Sequence, residues 1–299
     1  MNIKKSRKKY SNILIFSIAI IIFIITIAGT NSCQKNKSTA GADKIIIAAT
    51  IYPLYDIAKN IVGSKGEVYY LINPGESPHT FEFTPGRVKK IHDADIAIKI
   101  GLGFDDWIND SIKSIGTTLD IYAVNKRIEL IDGNPHIWLS LTNGQIISEN
   151  LCNVLVKEFP EYSEDFRENC ASYIQKLESL NSSYKEEAKN FSKKEFIAFH
   201  DAWSYFSKDL GIKQVMAIEP FPGKEPTPEH LIEIQKTIKE YNIDTVFIEP
   251  QLSPEIVEFL AEDMDLEILI LDPLGGIEGR QTYIKLMAFN FNQFRKTLK

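Results

Sequence analysis

The sequence has no basic surplus: 34 Lys and Arg face 40 Asp and Glu. Five of the basic residues, Lys4, Lys5, Arg7, Lys8 and Lys9, precede an N-terminal apolar run, so the chain beyond it is more acidic still. A groove for phosphate backbones needs a basic face, so no nucleic acid is expected as a partner, whereas cation capture suits this balance. No HExxH helix and no glycine-flanked nucleophile serine occurs, which argues against hydrolases built on either. The regular acidic loop of a calcium hand and the glycine loop that cradles phosphates are missing too. Histidine is scarce, with five in 299 residues.

The basic cluster and the uncharged run from Ile13 to Ala28 form a secretory signal pattern, placing the signal peptide at 1–32. The run is also close to the length of a short membrane anchor, so an uncleaved N-terminal segment stays open. Cys33 follows small or polar residues where a lipoprotein signal carries its lipidated cysteine, although Thr30 replaces the usual aliphatic residue. A polar stretch, 33–43, reads as a tether. An exported chain is expected, lipid-anchored to the outer face of the cell membrane or periplasmic. In such a compartment Cys152 and Cys170, on neighbouring predicted helices, are either a disulfide or two small buried thiols.

From Lys44 onward β-rich runs alternate with helical stretches. Strands are expected at 44–51, 68–72, 95–100 and 119–124, and again at 195–199, 214–218, 245–248 and 267–271. Nearly continuous apolar strands separated by helices indicate parallel sheets covered on both faces. Between the two sets, residues 162–191 place Phe166, Cys170, Tyr173, Ile174, Leu177, Leu180, Tyr184 and Ala188 at spacings of three and four, without Gly or Pro. The fold class is therefore α/β: two (β/α) lobes, each with a four-stranded mostly parallel sheet, at 44–160 and 192–299. One long backbone helix, 161–191, bridges them.

In such sheets ligands bind beyond the carboxyl ends of the strands. Four coordinating side chains fall there: His79, His136, His200 and Asp272, two from each half. A site using all four lies in the cleft between lobes. Three imidazoles and a carboxylate suit zinc, which accepts nitrogen and oxygen ligands in a tetrahedron; calcium and magnesium prefer oxygen. Glu219, Glu249 and Asp201 also lie at strand ends, in reach to orient an imidazole through its free N–H. His92 and His230, inside predicted helices beside charged residues, read as solvated surface histidines. A zinc metallohydrolase needs an open coordination position, which four protein ligands would close.

At these residues the chain resembles the metal-binding lipoproteins and periplasmic proteins that serve zinc and manganese ABC transporters. The resemblance runs from about Lys44 to Leu298 and rests on IYPLYDIAKNIVG, PGESPHTFEFTP, NPHIWLS, FHDAW, FIEPQLSPE and LDPLGG, in that order. It implies two lobes bridged by a rigid helix, metal ligands at His79, His136, His200 and Asp272, and no enzymatic activity. It also implies a membrane permease with its cytoplasmic ATPase as partners, with the binding protein a monomer. A histidine at position 200 is associated in this family with zinc, a glutamate with manganese. Manganese or iron transport is the nearest alternative, and adhesion a more distant one. Phe83 and Asn134 depart from the common residues at their positions, Asn134 standing where an aspartate often precedes the Pro-His pair. The segment 125–134 lacks the histidine-rich loop of many zinc-specific members.

Overall fold

The computed structural model of the chain describes residues 44–299, apart from 82–84, 220 and 222. The expected signal peptide, the tether and Cys33 lie outside the described residues.

The first lobe contains β1 (Ile45–Ala49), α1 (Tyr52–Val62), β2 (Gly66–Tyr70), α2 (Pro85–His92), β3 (Ile96–Lys99), α3 (Trp107–Ser114) and β4 (Asp120–Ala123). Next come α4 (Leu141–Glu158) and the 26-residue α5 (Ser163–Ala188). The second lobe contains β5 (Glu195–Ala198), α6 (Ser204–Leu210), β6 (Lys213–Ala217), α7 (Pro228–Glu240), β7 (Thr245–Ile248), α8 (Glu255–Met264), β8 (Glu267–Ile270) and α9 (Tyr283–Leu298).

Each sheet has four strands in the same order, β2-β1-β3-β4 and β6-β5-β7-β8, and every pair is parallel. Parallel strands need crossover helices on the faces, so the central strands are apolar on both sides: Ile96, Ala97 and Ile98 of β3 and Val246 and Phe247 of β7 are all buried. The edge strands β6 and β8 are only partly covered. In both sheets the order reverses beside the first strand, and a crevice opens there at the carboxyl ends.

The long helix α5 follows the predicted periodicity. Phe166, Cys170, Tyr173, Leu177, Asn181 and Ala188 form its buried stripe. At 1.5 Å per residue it is roughly 39 Å long. It packs against α1 and α4 of the first lobe and α6 and α9 of the second, so it serves both lobes. Cys170 lies on this stripe and faces α4, which carries Cys152; both are buried free thiols, with Cys170 Sγ 3.5 Å from the Ser148 carbonyl oxygen.

The lobes are also clasped by reciprocal caps. Asp56 on α1 accepts the Tyr283 N–H at the start of α9 (2.8 Å). Asp209 on α6 accepts from Ser140 Oγ (2.6 Å), Thr142 N (3.2 Å) and Thr142 Oγ1 (2.6 Å) at the start of α4. Each lobe thereby supplies a carboxylate to the positive end of a helix attached to the other, a favourable placement. Trp138, fully buried, donates Nε1–H to the Pro273 carbonyl (2.7 Å), and Tyr283 Oη donates to the Trp138 carbonyl (2.5 Å). Gly276 fits the same seam. Its φ is +82°, and a Cβ there would lie 2.5 Å from Pro74 Cγ of the first lobe, so both backbone conformation and close approach require glycine.

Candidate metal centre

Three histidines converge where the crevices of the two sheets face each other. His79 sits on a one-turn 3-10 helix, Pro78–Thr80, in the loop after β2. His136 precedes another such turn, Ile137–Leu139, after β4. His200 follows β5 with one residue between. Their ligand atoms all lie within 4.8 Å of one another, and this is the only such group of His, Cys, Asp or Glu among the described residues. His136 Nε2 is 3.2 Å from His79 Nε2 and 3.3 Å from His200 Nε2. A tetrahedral ion with Zn–N bonds of about 2.05 Å requires nitrogens separated by about 3.3 Å, so these two separations suit one shared ion.

The surroundings are apolar on one side and open on the other. Phe104 meets the ring of His79 edge-on at 5.4 Å and that of His136 at 5.7 Å, and Trp138 lies 5.3 Å from His136. A void of about 10 Å³ beside the histidines is about the size of one water. On the other side a cleft of about 870 Å³, lined by Asn134, Asp201, Lys208 and Phe221 among others, reaches the same three imidazoles. The site therefore combines a small inner chamber with a broad approach.

The imidazoles differ electrostatically. His200 is 3 % exposed and its Nδ1 faces Glu249 Oε1, itself in a residue 3 % exposed, at 2.8 Å. Burial opposes charge on His200, but the negative charge and hydrogen bond of Glu249, with the charges of Asp201 and Glu219, hold its pKa above the ordinary imidazole value. His136 is held well below that value by burial and by its two imidazole neighbours. His79 is pushed down to about 4, first by loss of water around its ring and then by the charge of His200. As a residue His79 is nevertheless exposed.

Asp272 is not brought into this group. It is fully buried at the end of β8, with Oδ1 accepting from Gln251 Nε2 (2.9 Å), Leu274 N (3.0 Å) and Gly275 N (3.0 Å), and Oδ2 paired with Arg280 Nη1 (2.9 Å). Arg280 claims the charge that the sequence reading reserved for a cation. In this arrangement the three histidines stand together and Asp272 is paired with Arg280.

Of the supporting carboxylates, Glu249 meets an imidazole directly. Glu219, its pKa raised chiefly by burial, accepts instead from Gly223 N (2.8 Å). Asp201 is exposed, and its main-chain oxygen makes the contact of note, accepting from Asn134 Nδ2 (2.9 Å). Asn134 was missed as a site residue; the Asn-Pro-His triplet, with an amide two residues before a ligand, was the available signal. His92 is exposed, as expected. His230 is not simply solvated: it is half-buried, with Nε2 2.9 Å from the Ala217 carbonyl oxygen, which caps the end of β6.

Two parallel-sheet lobes on a long helix, with a histidine centre between them, define a class of two-lobed metal-binding proteins. Residues 47–297 match the family model described as the zinc-uptake complex component A, periplasmic, and the chain belongs to this family. It is 29% identical over 316 residues to the high-affinity zinc uptake system protein ZnuA of Bacillus subtilis, covering 97% of this chain and 98% of that protein. The zinc-binding protein AdcA of Streptococcus pyogenes is 28% identical, but the match spans 94% of this chain and only 61% of AdcA. Among solved structures, the metal-dependent lipoprotein YcdH of Bacillus subtilis superposes with a TM-score of 0.73 at 31% identity, over 86% of this chain and all of that one.

Proposed function

We propose that this chain captures Zn(II) outside the cytoplasmic membrane through His79, His136 and His200 and delivers it to the permease of an ABC transporter, which a cytoplasmic ATPase drives. The observation that carries the reading is the spacing of three imidazole nitrogens, two of the separations being 3.2 and 3.3 Å, at the meeting of the lobes. Nitrogen donors without a carboxylate favour zinc over calcium or magnesium. Family membership and the zinc-uptake role of a relative support transport as the purpose. Glu249 orients His200, and a water or another donor takes the fourth position. The chain is exported, works as a monomer and is held at the membrane through a lipid on Cys33. Manganese is the competing cargo.

A three-histidine zinc with a free position is also the arrangement of some hydrolytic sites. Glu249, the carboxylate hydrogen-bonded to the centre, is committed to His200 and is not free to act as a general base. We therefore assign capture and no turnover. The test is metal analysis of the purified protein, then zinc and manganese competition by calorimetry on wild type, His79→Ala and His136→Ala. Each variant is expected to bind zinc at least about tenfold more weakly, about 1.4 kcal/mol. Unchanged affinity in both, or ester hydrolysis by the zinc-loaded protein, would sink this reading.

A further inference from the structure

Asn134 makes five hydrogen bonds, and they join the two lobes at the metal centre. Its main-chain N–H donates to the Ile131 carbonyl (2.9 Å), and its carbonyl accepts from Tyr205 Oη of α6 (2.7 Å). Its side-chain Oδ1 lies 2.9 Å from the main-chain N of His136 and 2.7 Å from Nδ1 of the same residue. Its Nδ2 is 2.9 Å from the main-chain oxygen of Asp201, the residue after His200. Two of these partners leave no choice of role, because a peptide N–H only donates and a peptide carbonyl only accepts. They fix the amide with its oxygen toward His136 and its nitrogen toward Asp201. His136 Nδ1 faces an acceptor and must carry the hydrogen, which leaves its Nε2 lone pair bare toward His79 and His200.

We propose that Asn134 is the positioning residue of the metal centre: its amide oxygen sets the tautomer and orientation of His136, while its amide nitrogen ties that loop to the main chain beside His200. The inference rests on the zinc-capture reading for its purpose. One side chain thus holds a ligand of the first lobe in register with the ligand of the second before any ion arrives. A carboxylate at this position retains the acceptor for His136 but has no hydrogen for Asp201, and it faces that carbonyl with negative charge. An alanine loses both bonds.

The test uses metal-free wild type, Asn134→Ala and Asn134→Asp, each checked for cooperative unfolding. Nitrogen-15 NMR of the imidazoles reads the His136 tautomer, and chelator competition reads zinc affinity. In wild type His136 is expected as the Nδ1–H form. Asn134→Ala should populate the Nε2–H form and bind zinc about ten- to a hundredfold more weakly, the usual consequence of removing a partner behind a ligand. Asn134→Asp should restore the Nδ1–H form yet unfold at a lower temperature than wild type, having lost the bond to Asp201. Wild-type tautomer in Asn134→Ala with zinc affinity within about threefold of wild type would overturn the positioning role. So would failure of Asn134→Asp to restore the tautomer, a result available even if the alanine variant does not fold. A midpoint for Asn134→Asp equal to or above wild type would overturn the tie to Asp201. Because the tautomer is read without metal, it stands apart from zinc capture, which fails separately if replacing the histidines leaves zinc binding unchanged.

Discussion

His200 reaches the cleft almost directly from the end of a strand and is backed by a buried carboxylate, whereas His79 comes from a single turn within a loop. Among the described residues the only polar partner of the His79 ring is His136. The second lobe therefore supplies a fixed and electrostatically braced ligand, and the first supplies one imidazole held by an amide and one held by ring packing and its contact with that imidazole. The difference has a chemical result. With His136 Nε2 as an acceptor, His200 in its protonated form donates Nδ1–H to Glu249 and Nε2–H toward His136. The metal-free centre then carries a proton where the ion is to sit, and metal binding must displace it.

The largest expected contrast follows from removing one histidine at a time. His200→Ala leaves Glu249 buried without its partner, so it should destabilise the metal-free protein by about 3–5 kcal/mol as well as abolish tight zinc binding. His79→Ala should weaken zinc at least about tenfold while changing metal-free stability by no more than about 0.5 kcal/mol. Denaturant unfolding without metal, paired with zinc competition, checks both. Equal stability losses in the two variants would erase the proposed asymmetry between lobes.

Metal preference offers a sharper probe of the same brace. A glutamate at position 200 favours manganese more than imidazole does, because its oxygens are harder and the second raises the coordination number. The structure adds a complication, since Glu249 stands 2.8 Å from the His200 ring and would repel a new carboxylate. His200→Glu should therefore be made together with Glu249→Gln. The zinc-to-manganese affinity ratio of the double variant is expected to fall by at least about tenfold relative to Glu249→Gln alone. A ratio that stays constant means that His200 does not set selectivity.

Acidity separates the two imidazoles by sign. His79 titrates near 4 in the folded chain against about 6.5 when unfolded, so in that interval the unfolded state binds more protons and His79 lowers stability as pH falls. His200 has a raised folded pKa. Its contribution is full below about 6.5 and is lost as pH rises through the raised value. NMR titration of the metal-free protein should show His200 charged and His79 neutral at pH 6. Zinc added at that pH should release about one proton per ion, measured by calorimetry in buffers of different ionisation enthalpy. Proton release of zero, with His200 neutral, would remove the displaced proton from the account.

Much of this was legible in the chain itself, and particular residues show where legibility stopped. Strand positions could be read because parallel strands buried on both faces leave continuous apolar runs, and α5 because its stripe repeats every three or four residues. The convergence of His79, His136 and His200 followed from one rule, that ligands gather beyond the carboxyl ends of strands. The choice among Glu219, Glu249 and Asp201 did not follow, since all three lie at strand ends and only side-chain direction distinguishes them. Asp209 and Asp56 were invisible as cross-lobe caps because each is far in sequence from the helix it serves. The pairing of Asp272 was equally hidden: nothing in LDPLGG reveals that Arg280, eight residues on, turns back to meet it.

The smallest expected effect on metal is also the one that tests the ligand count. Asp272 keeps both oxygens occupied, by Arg280 on one and by Gln251 and two peptide N–H groups on the other. Asp272→Asn preserves shape and one acceptor but leaves the guanidinium of Arg280, 12 % exposed, without its counter-charge. Breaking a buried pair in this way is expected to cost about 3–5 kcal/mol of stability in the metal-free protein. Zinc affinity should change by less than about threefold, under 0.7 kcal/mol, because the three imidazoles remain in place. If Asp272 instead leaves Arg280 to complete a tetrahedron, the same variant loses a direct bond to the ion and affinity drops tenfold or more, about 1.4 kcal/mol at least. Stability and affinity must be measured on the same sample, since a partly unfolded variant mimics weak binding. A large loss of affinity with little loss of stability would return Asp272 to the ligand set and make Arg280 a partner that lets go when the ion arrives.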